Sequence, residues 1–333
     1  MQNNSRKQEI VAMHLMDSFN KFASKWMPLI VIAALCVGVS FSKQINRLTF
    51  LVPYIFAFMT FTGTLQSSFR QLVGVVKKPM PLIASIVTLH IIMPLIALGV
   101  GTLLFHGKSY FIVGIVLEFV VPSAVASLMW NSIAGGNPSL MLSIVLLDTL
   151  AAPFVIPLSL RILVGANVSI NVAGMMHDLI LMIAVPAVAT MAMNQFTGGK
   201  AGKKLAPVLA PYGKIALILI ITINSTQIAG FILHMTPMLF EIAGTILALA
   251  VLGYLLGWLL GYLLHQDTSI VVSMTLGSGM RNISAGAVIA AAYFSAETMF
   301  PVIVGTLFQQ LLASIFSRLL SMPHGKKKTA ATM

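Results

Sequence analysis

The chain has 333 residues, of which 58% are hydrophobic and 8% charged, with 20 basic against 8 acidic side chains and a formal net charge of +12. Soluble domains carry about 25% charged residues, so this sequence lacks the water-facing surface that so apolar a core requires, and takes lipid as its solvent. Its one cysteine excludes an internal disulfide framework or a cysteine-built zinc site. No Walker A loop, His-Glu-x-x-His helix or dinucleotide-binding glycine fingerprint occurs, which argues against ATP-driven or cofactor chemistry.

Residues 1–25 are mixed in character, without the short apolar core of a signal peptide. Val11, Leu15, Phe19, Phe22 and Trp26 recur at helical spacing near Lys21 and Lys25, which predicts an amphipathic cytoplasmic segment lying on the inner leaflet. A spanning helix needs roughly 20 apolar residues to cross about 30 Å of hydrocarbon. Such runs fall near 26–42, 48–67, 79–105, 109–131, 138–164, 172–194, 212–234, 237–264, 268–294 and 297–320. They are continuously apolar, so they predict about ten helices and not barrel strands. The longest gap, Gln195 to Pro211, reads as a Gly/Lys loop, and residues 321–333 as a basic cytoplasmic tail.

With the N-terminus inside, fifteen basic residues fall on inner segments, four (Lys43, Arg47, Lys108 and Arg161) on outer loops, and Arg281 within a span. That asymmetry predicts a multi-pass protein of the cytoplasmic membrane with both termini cytoplasmic. It also accounts for the basic charge without a nucleic-acid partner.

Ten spans divide into 26–164 and 172–320, and five spans per half turn the second half upside down, the common build of secondary transporters. Trp26-Met27-Pro28-Leu29 opens span 1 and Ala184-Val185-Pro186 lies in span 6; a similar offset takes Pro122 in span 4 to Gly277 in span 9. Around those last positions the chain reads Val120-Val121-Pro122-Ser123-Ala124-Val125-Ala126-Ser127 and Leu276-Gly277-Ser278-Gly279-Met280-Arg281-Asn282-Ile283-Ser284-Ala285-Gly286. Pro and Gly free backbone groups from the helical ladder, and in hydrocarbon each free group costs several kcal/mol unless protein or a wet cavity receives it. The pattern fits two broken helices at a mid-membrane site, or two kinked helices packed through small residues.

With these motifs in view, the sequence resembles the bile acid:sodium symporter family over nearly all of residues 26–320. The likeness rests on Ile91-Ile92-Met93-Pro94, Thr149-Leu150-Ala151-Ala152-Pro153, Val185-Pro186 followed by Asn194, Gly279-Met280-x-Asn282, and Gly305-Thr306-Leu307-Phe308 followed by Leu312-Ala313. The resemblance implies a panel and a core domain, spans 4 and 9 crossing at unwound centres, and organic anions carried with sodium. It also implies sodium ligands at positions occupied here by Leu128, Leu89, Gly277 and Arg281. Ser127 is retained, and carbonyls near Ser278 and Met280 remain available. A guanidinium a few Å from a sodium ion opposes its binding, so the family's sodium sites are not expected to operate in this chain.

Arg281 and Asp148 lie within spans, where each charge costs roughly 2.5–3.5 kcal/mol unless it pairs or meets water. They are expected to pair with each other, as part of transport or as a static staple between spans 5 and 9. Asp148 and Glu118 are candidate proton carriers. His90 either meets a carboxylate or packs neutral, and His177 and Asp178 sit at the membrane interface. Asn224, Ser225, Thr226 and Gln227 put four polar groups in a row in span 7 and read as cavity lining. Thr60, Thr62, Thr64 and Gln66 approach the inner boundary, Gln309 and Gln310 read as helix packing, and Trp130, Trp258 and Tyr262 as interface anchors.

The candidate binding residues are Ser123, Ser127, Asp148, Thr149, Asn224, Thr226, Gln227, Ser278, Met280, Arg281 and Asn282. No metal cluster or organic cofactor is expected, with Na+ or H+ as coupling ion and the bilayer and a small organic anion as partners. The predicted fold is an all-α integral membrane protein of two inverted five-helix repeats with broken, crossing helices 4 and 9. The predicted function is secondary transport of that anion by alternating access, coupled to sodium or protons. Cation/proton antiport on Asp148 is the alternative, and an enzyme is disfavoured because no nucleophile–base arrangement appears.

Overall fold

A computed structural model describes residues 22–23, 26–69, 79–166 and 168–321. The N-terminal amphipathic segment, apart from Phe22 and Ala23, and the basic tail lie outside the described residues. The protein is all-helical, with no β-sheet among the described residues. In chain order the helices are α1 (Trp26–Ser40), α2 (Ser42–Thr64), α3 (Pro79–Leu104), α4 (Ser109–Val120), α5 (Ser127–Ile133), α6 (Pro138–Val164), α7 (Val172–Phe196), α8 (Lys200–Leu233), α9 (Pro237–Leu263), α10 (Thr268–Gly279), α11 (Ile283–Tyr293) and α12 (Ala296–Ser321). Seven of these, α2, α3, α6, α7, α8, α9 and α12, are long and apolar enough to cross a membrane, and α1, α4 and α11 are shorter apolar helices. Large apolar side chains stay exposed along their outer faces, among them Leu29, Tyr54, Leu103, Ile162 and Phe240, as expected of helices whose surroundings are lipid.

One expected loop is helix instead. The segment from Lys200 belongs to α8, and only Thr197–Gly199 turns the chain, with Gly198 and Gly199 at positive φ. Lys200, Lys203 and Lys204 lie within the first turns of this helix, and Pro207 and Pro211 are carried inside it. A Lys/Gly/Pro composition that signals a loop in isolation is here an amphipathic extension of a long helix.

The centre of the bundle is α4, where every residue from Phe111 to Val120 is buried. It packs against α3, α6 and α12. On the other side α8 and α7 pack on α2, and Met27, Val31 and Ala34 of α1 meet Ile221 of α8. Two helices widen into a π turn, Thr88–Ile92 in α3 and Ile180–Ala184 in α7, just before Pro94 and Pro186. Proline lacks the N–H of the ladder and its ring strikes the carbonyl four residues earlier; a wider turn relieves both. In α3 that carbonyl belongs to His90.

Helices α9 and α10 pack closely along their length. Gly253, Gly257 and Gly261 recur every fourth residue of α9, so they form one ridge. A Cβ on them would lie 3.2 Å from the Ser278 carbonyl oxygen, 2.5 Å from that of Met274 and 3.0 Å from Val271, respectively. The ridge lets the backbones approach as small residues do in membranes, and it sets the position of α10 and of the break that follows.

Candidate functional site

The chain unwinds between α4 and α5 and again between α10 and α11. Val121 (φ −63, ψ 151) and Met280 (φ −92, ψ 126) are extended. The two extended stretches pair antiparallel through Ser123 and Arg281. Asn282 N–H donates to the Pro122 carbonyl at 2.6 Å, and Ala124 N–H to that of Met280 at 3.2 Å. Backbone groups freed by Pro122 and the Gly-rich break thus satisfy each other, as the cost of a bare peptide group in a membrane demands. The Ser123 hydroxyl adds a bond to the Gly277 carbonyl at 3.0 Å, and the Asn282 side chain caps α11 at Ala285 N–H. The chain is thus interrupted at both segments, and their extended stretches meet.

The expected ion pair is corrected. Asp148 is fully buried, and its two oxygens are taken by His90 Nε2 at 2.6 Å and by Ser123 N–H at 2.7 Å. Arg281 is not within salt-bridge distance of it. Nη1 of Arg281 instead donates to the Leu89 carbonyl at 3.2 Å and lies 3.5 Å from that of Val121, with the Phe119 ring 5.8 Å away. Asp148 and Glu118 act on its charge from further off. The reason is directional: Asp148 projects toward the π turn of α3, while Arg281, in the extended break, points along the carbonyls of its neighbours. Nε and Nη2 of Arg281, both buried, have no hydrogen-bond partner.

Beside the crossing lies a cavity of about 340 Å³, lined on one side by α1, α2 and α8 and on the other by the breaks, α5 and α12. Of the sequence-predicted residues, Thr149, Arg281 and Asn282 line it. Lys214 lines it too, and among the described residues no carboxylate does. Ser123, Asp148, Ser278 and Met280 belong to the crossing behind this wall. The Ser127 hydroxyl turns to the Met141 sulfur at 3.2 Å, and the Met280 carbonyl is taken by Ala124. Glu118 is buried on α4, with Oε2 unpartnered and its carboxyl against Gly305. Among the described residues no cluster of three or more His, Cys, Asp or Glu could hold a metal ion.

The span 7 cluster does not line this cavity. Thr226 donates to Asn46 at 3.1 Å and to the Ile223 carbonyl at 2.7 Å, Asn224 is buried with both side-chain polar atoms unpartnered, and Gln227 lies in the short 3-10 turn beyond. These residues sit about three turns beyond Lys214 on α8. There also the Tyr293 hydroxyl, at the end of α11, donates to Asp178 at the start of α7. The lining instead includes Thr60, Thr62, Ser284, Thr306, Gln309 and Gln310. Gln310 also accepts from the Trp130 indole at 3.0 Å, which ties Trp130 to α12. Trp258 packs edge-on to Phe316 with its ring N–H buried, whereas Tyr262 is exposed as expected. A pair of adjacent amides in an apolar helix was the available signal for Gln309 and Gln310.

Helices long enough to cross lipid, and two breaks that satisfy each other beside a mainly apolar cavity, define a multi-pass membrane protein. The model of the Sodium Bile acid symporter family matches residues 53–236. "Uncharacterized protein YbaS" of Bacillus subtilis (strain 168) is 39% identical over 295 residues, 89% of this chain and 96% of that protein. "Uncharacterized sodium-dependent transporter YocS" of the same organism is 23% identical over 319 residues, 96% of this chain and 98% of that one. The chain belongs to the sodium bile acid symporter family.

Proposed function

We propose that this protein is a secondary active transporter that moves a small organic carboxylate across the cytoplasmic membrane by alternating access. The observation that carries the reading is the orphaned edge of Arg281. Nε and Nη2 lie along one side of the guanidinium and match the two oxygens of a carboxylate. Both are buried without a partner at a residue that lines the cavity. A buried charged donor left unpaired costs about 1–3 kcal/mol or more, which a bound carboxylate would recover. Lys214 lies in the same lining. The volume lies at the lower end of small-molecule sites, and Met27, Val31, Met59 and Met129 offer an adaptable apolar wall.

In this reading α4 with α5, and α10 with α11, each form one broken span, giving ten spans in inverted repeats over 26–164 and 172–320. Both termini, with segments 1–25 and 321–333, then face the cytoplasm. The cavity is lined by the first turns of α1, the last turns of α2 and the middle of α8; in this reading it opens to the cytoplasm, with the Thr226–Asn46 and Tyr293–Asp178 contacts on the closed outer side. Cation/proton antiport on Asp148 has less support, because both its oxygens are engaged and a cation entering the cavity meets Arg281 and Lys214 first. Sodium, which the name of YocS carries, and the proton are the two coupling ions to compare.

The test is binding and proteoliposome uptake for a panel of three- to eight-carbon carboxylates beside their amides. Uptake restricted to carboxylates, and weakened at least tenfold in Arg281→Lys, supports the reading, since lysine keeps the charge and loses the fork. Equal handling of amides, or full activity in a folded Arg281→Met protein, refutes it.

A further inference from the structure

We propose, resting on the carboxylate reading above, that His90 and Asp148 form the proton site that couples transport, so that each carboxylate moves with one proton and without sodium. The pair is built with care for position: the π turn before Pro94 places His90, and its Nε2 lies 2.6 Å from Asp148 Oδ1. Asp148 has no exposure, and His90 retains 11% of its side-chain surface. A neutral imidazole that donates from Nε2 leaves a lone pair on Nδ1. Nδ1 is buried with no partner, and a proton there turns the contact into an imidazolium–carboxylate pair.

The other oxygen of Asp148 holds Ser123 N–H at the crossing, at 2.7 Å. Hydrogen bonds to an ionised group are roughly twice as strong as neutral ones, so the charge state of the pair is felt at the break itself. The other charges acting here are Arg281 from the second break and Glu118 from α4, the latter reaching the pair through Arg281. Helices α5 and α10 bring no titratable side chain, and His177 and Asp178 of α7 are solvent-exposed. A carboxylate on Arg281 adds one negative charge to a buried group that already holds two carboxyls around one guanidinium. One proton on His90–Asp148 restores the balance, which buried charges require. Nearby, the Ser123 hydroxyl donates to the Gly277 carbonyl, the Ser127 hydroxyl to the Met141 sulfur, and Ala124 N–H to the Met280 carbonyl.

The experiment uses the full chain in sodium-free proteoliposomes with labelled 4-methyl-2-oxopentanoate, a branched oxo acid acidic enough to stay charged and outside lipid. Counterflow reads transport without net coupling, and accumulation under an imposed pH difference reads the proton. The wild type is expected to accumulate the oxo acid about tenfold per pH unit, the ratio for one proton per anion, with no gain on replacing choline by sodium. His90→Gln, which keeps a hydrogen bond to Asp148 but does not titrate, is expected to lower accumulation at least tenfold relative to its own exchange rate. A lumenal pH dye gives a second measure that needs no variant: acidification by one proton per anion supports the site, and uptake without acidification overturns it. Accumulation by His90→Gln as steep as the wild type, or accumulation driven by sodium at equal pH, overturns it as well. If the wild type exchanges neither this oxo acid nor any carboxylate of the panel, the carboxylate reading itself falls, an outcome distinct from proton-independent exchange.

Discussion

Alanine at Gly257 tests whether the α9 ridge positions the second break. The Cβ would stand 2.5 Å from the Met274 carbonyl oxygen and 2.9 Å from the Thr275 Cα. Ordinary carbon–oxygen approaches between helices begin near 3.3 Å, so the helices must part by roughly 0.8 Å, and the obstacle is backbone. Overpacking of this kind costs about 1–3 kcal/mol. Alanine also gains up to about 1 kcal/mol over glycine as a helix former, which hides part of the loss. Gly244 supplies the correction: it lies in the same helix with nothing within 4 Å of its Cβ position, so Gly244→Ala shows the propensity gain alone. Reversible unfolding of both variants in mixed micelles should separate them by about 1–3 kcal/mol, with Gly257→Ala the weaker. It should also lower uptake, because α10 carries the break toward Arg281. Equal stability of the two variants would refute the claim that close backbone approach holds α9 on α10.

Asn194 joins three segments, donating to the carbonyls of Leu65 at 2.6 Å and Ser67 at 2.8 Å and accepting from Gly202 N–H at 2.9 Å. Asn194→Asp keeps the shape but turns a donor into an acceptor facing two buried carbonyls, and should cost about 2–5 kcal/mol in the same unfolding assay; a loss under 1 kcal/mol contradicts the assignment. Gly305→Ala places a Cβ 2.2 Å from Glu118 Oε1. Its destabilisation, about 1–3 kcal/mol, should shrink in a Glu118→Ala background, and strict additivity in the double-mutant cycle would show that the two positions do not meet.

Much of the architecture was legible because lipid imposes a length on apolar runs: the runs at 79–105, 138–164 and 237–264 correspond to α3, α6 and α9 within a residue or so at either end. The breaks were legible because Pro122 and the Gly277–Gly286 stretch are poor helix interiors. What the pattern did not carry was side-chain direction. Opposite charges within spans 5 and 9 suggested that Asp148 meets Arg281, yet a break changes the backbone direction that such pairing depends on. The π turn before Met93-Pro94, which brings His90 to Asp148, leaves no trace in hydropathy; a proline four residues after a mid-span histidine was its one sign. The polar row Asn224–Gln227 looked like cavity lining, but depth along α8 decides that, and Lys214, three turns earlier, lies at the level of the cavity.

The mutual pairing of the two breaks has a consequence for biogenesis. Ser123 reaches its hydroxyl acceptor, Gly277, 154 residues further along the chain. A ribosome delivers the first half into the bilayer with its peptide groups at Pro122 and Ala124 still lacking the counterparts that close them, at several kcal/mol per group in hydrocarbon. Until α10 and α11 are inserted, that segment must be sheltered by the translocation machinery, by water drawn into the membrane or by a temporarily regular helix. Assembly of this protein is therefore a long-range handshake with a waiting period, during which a truncated chain is a natural target for membrane quality control.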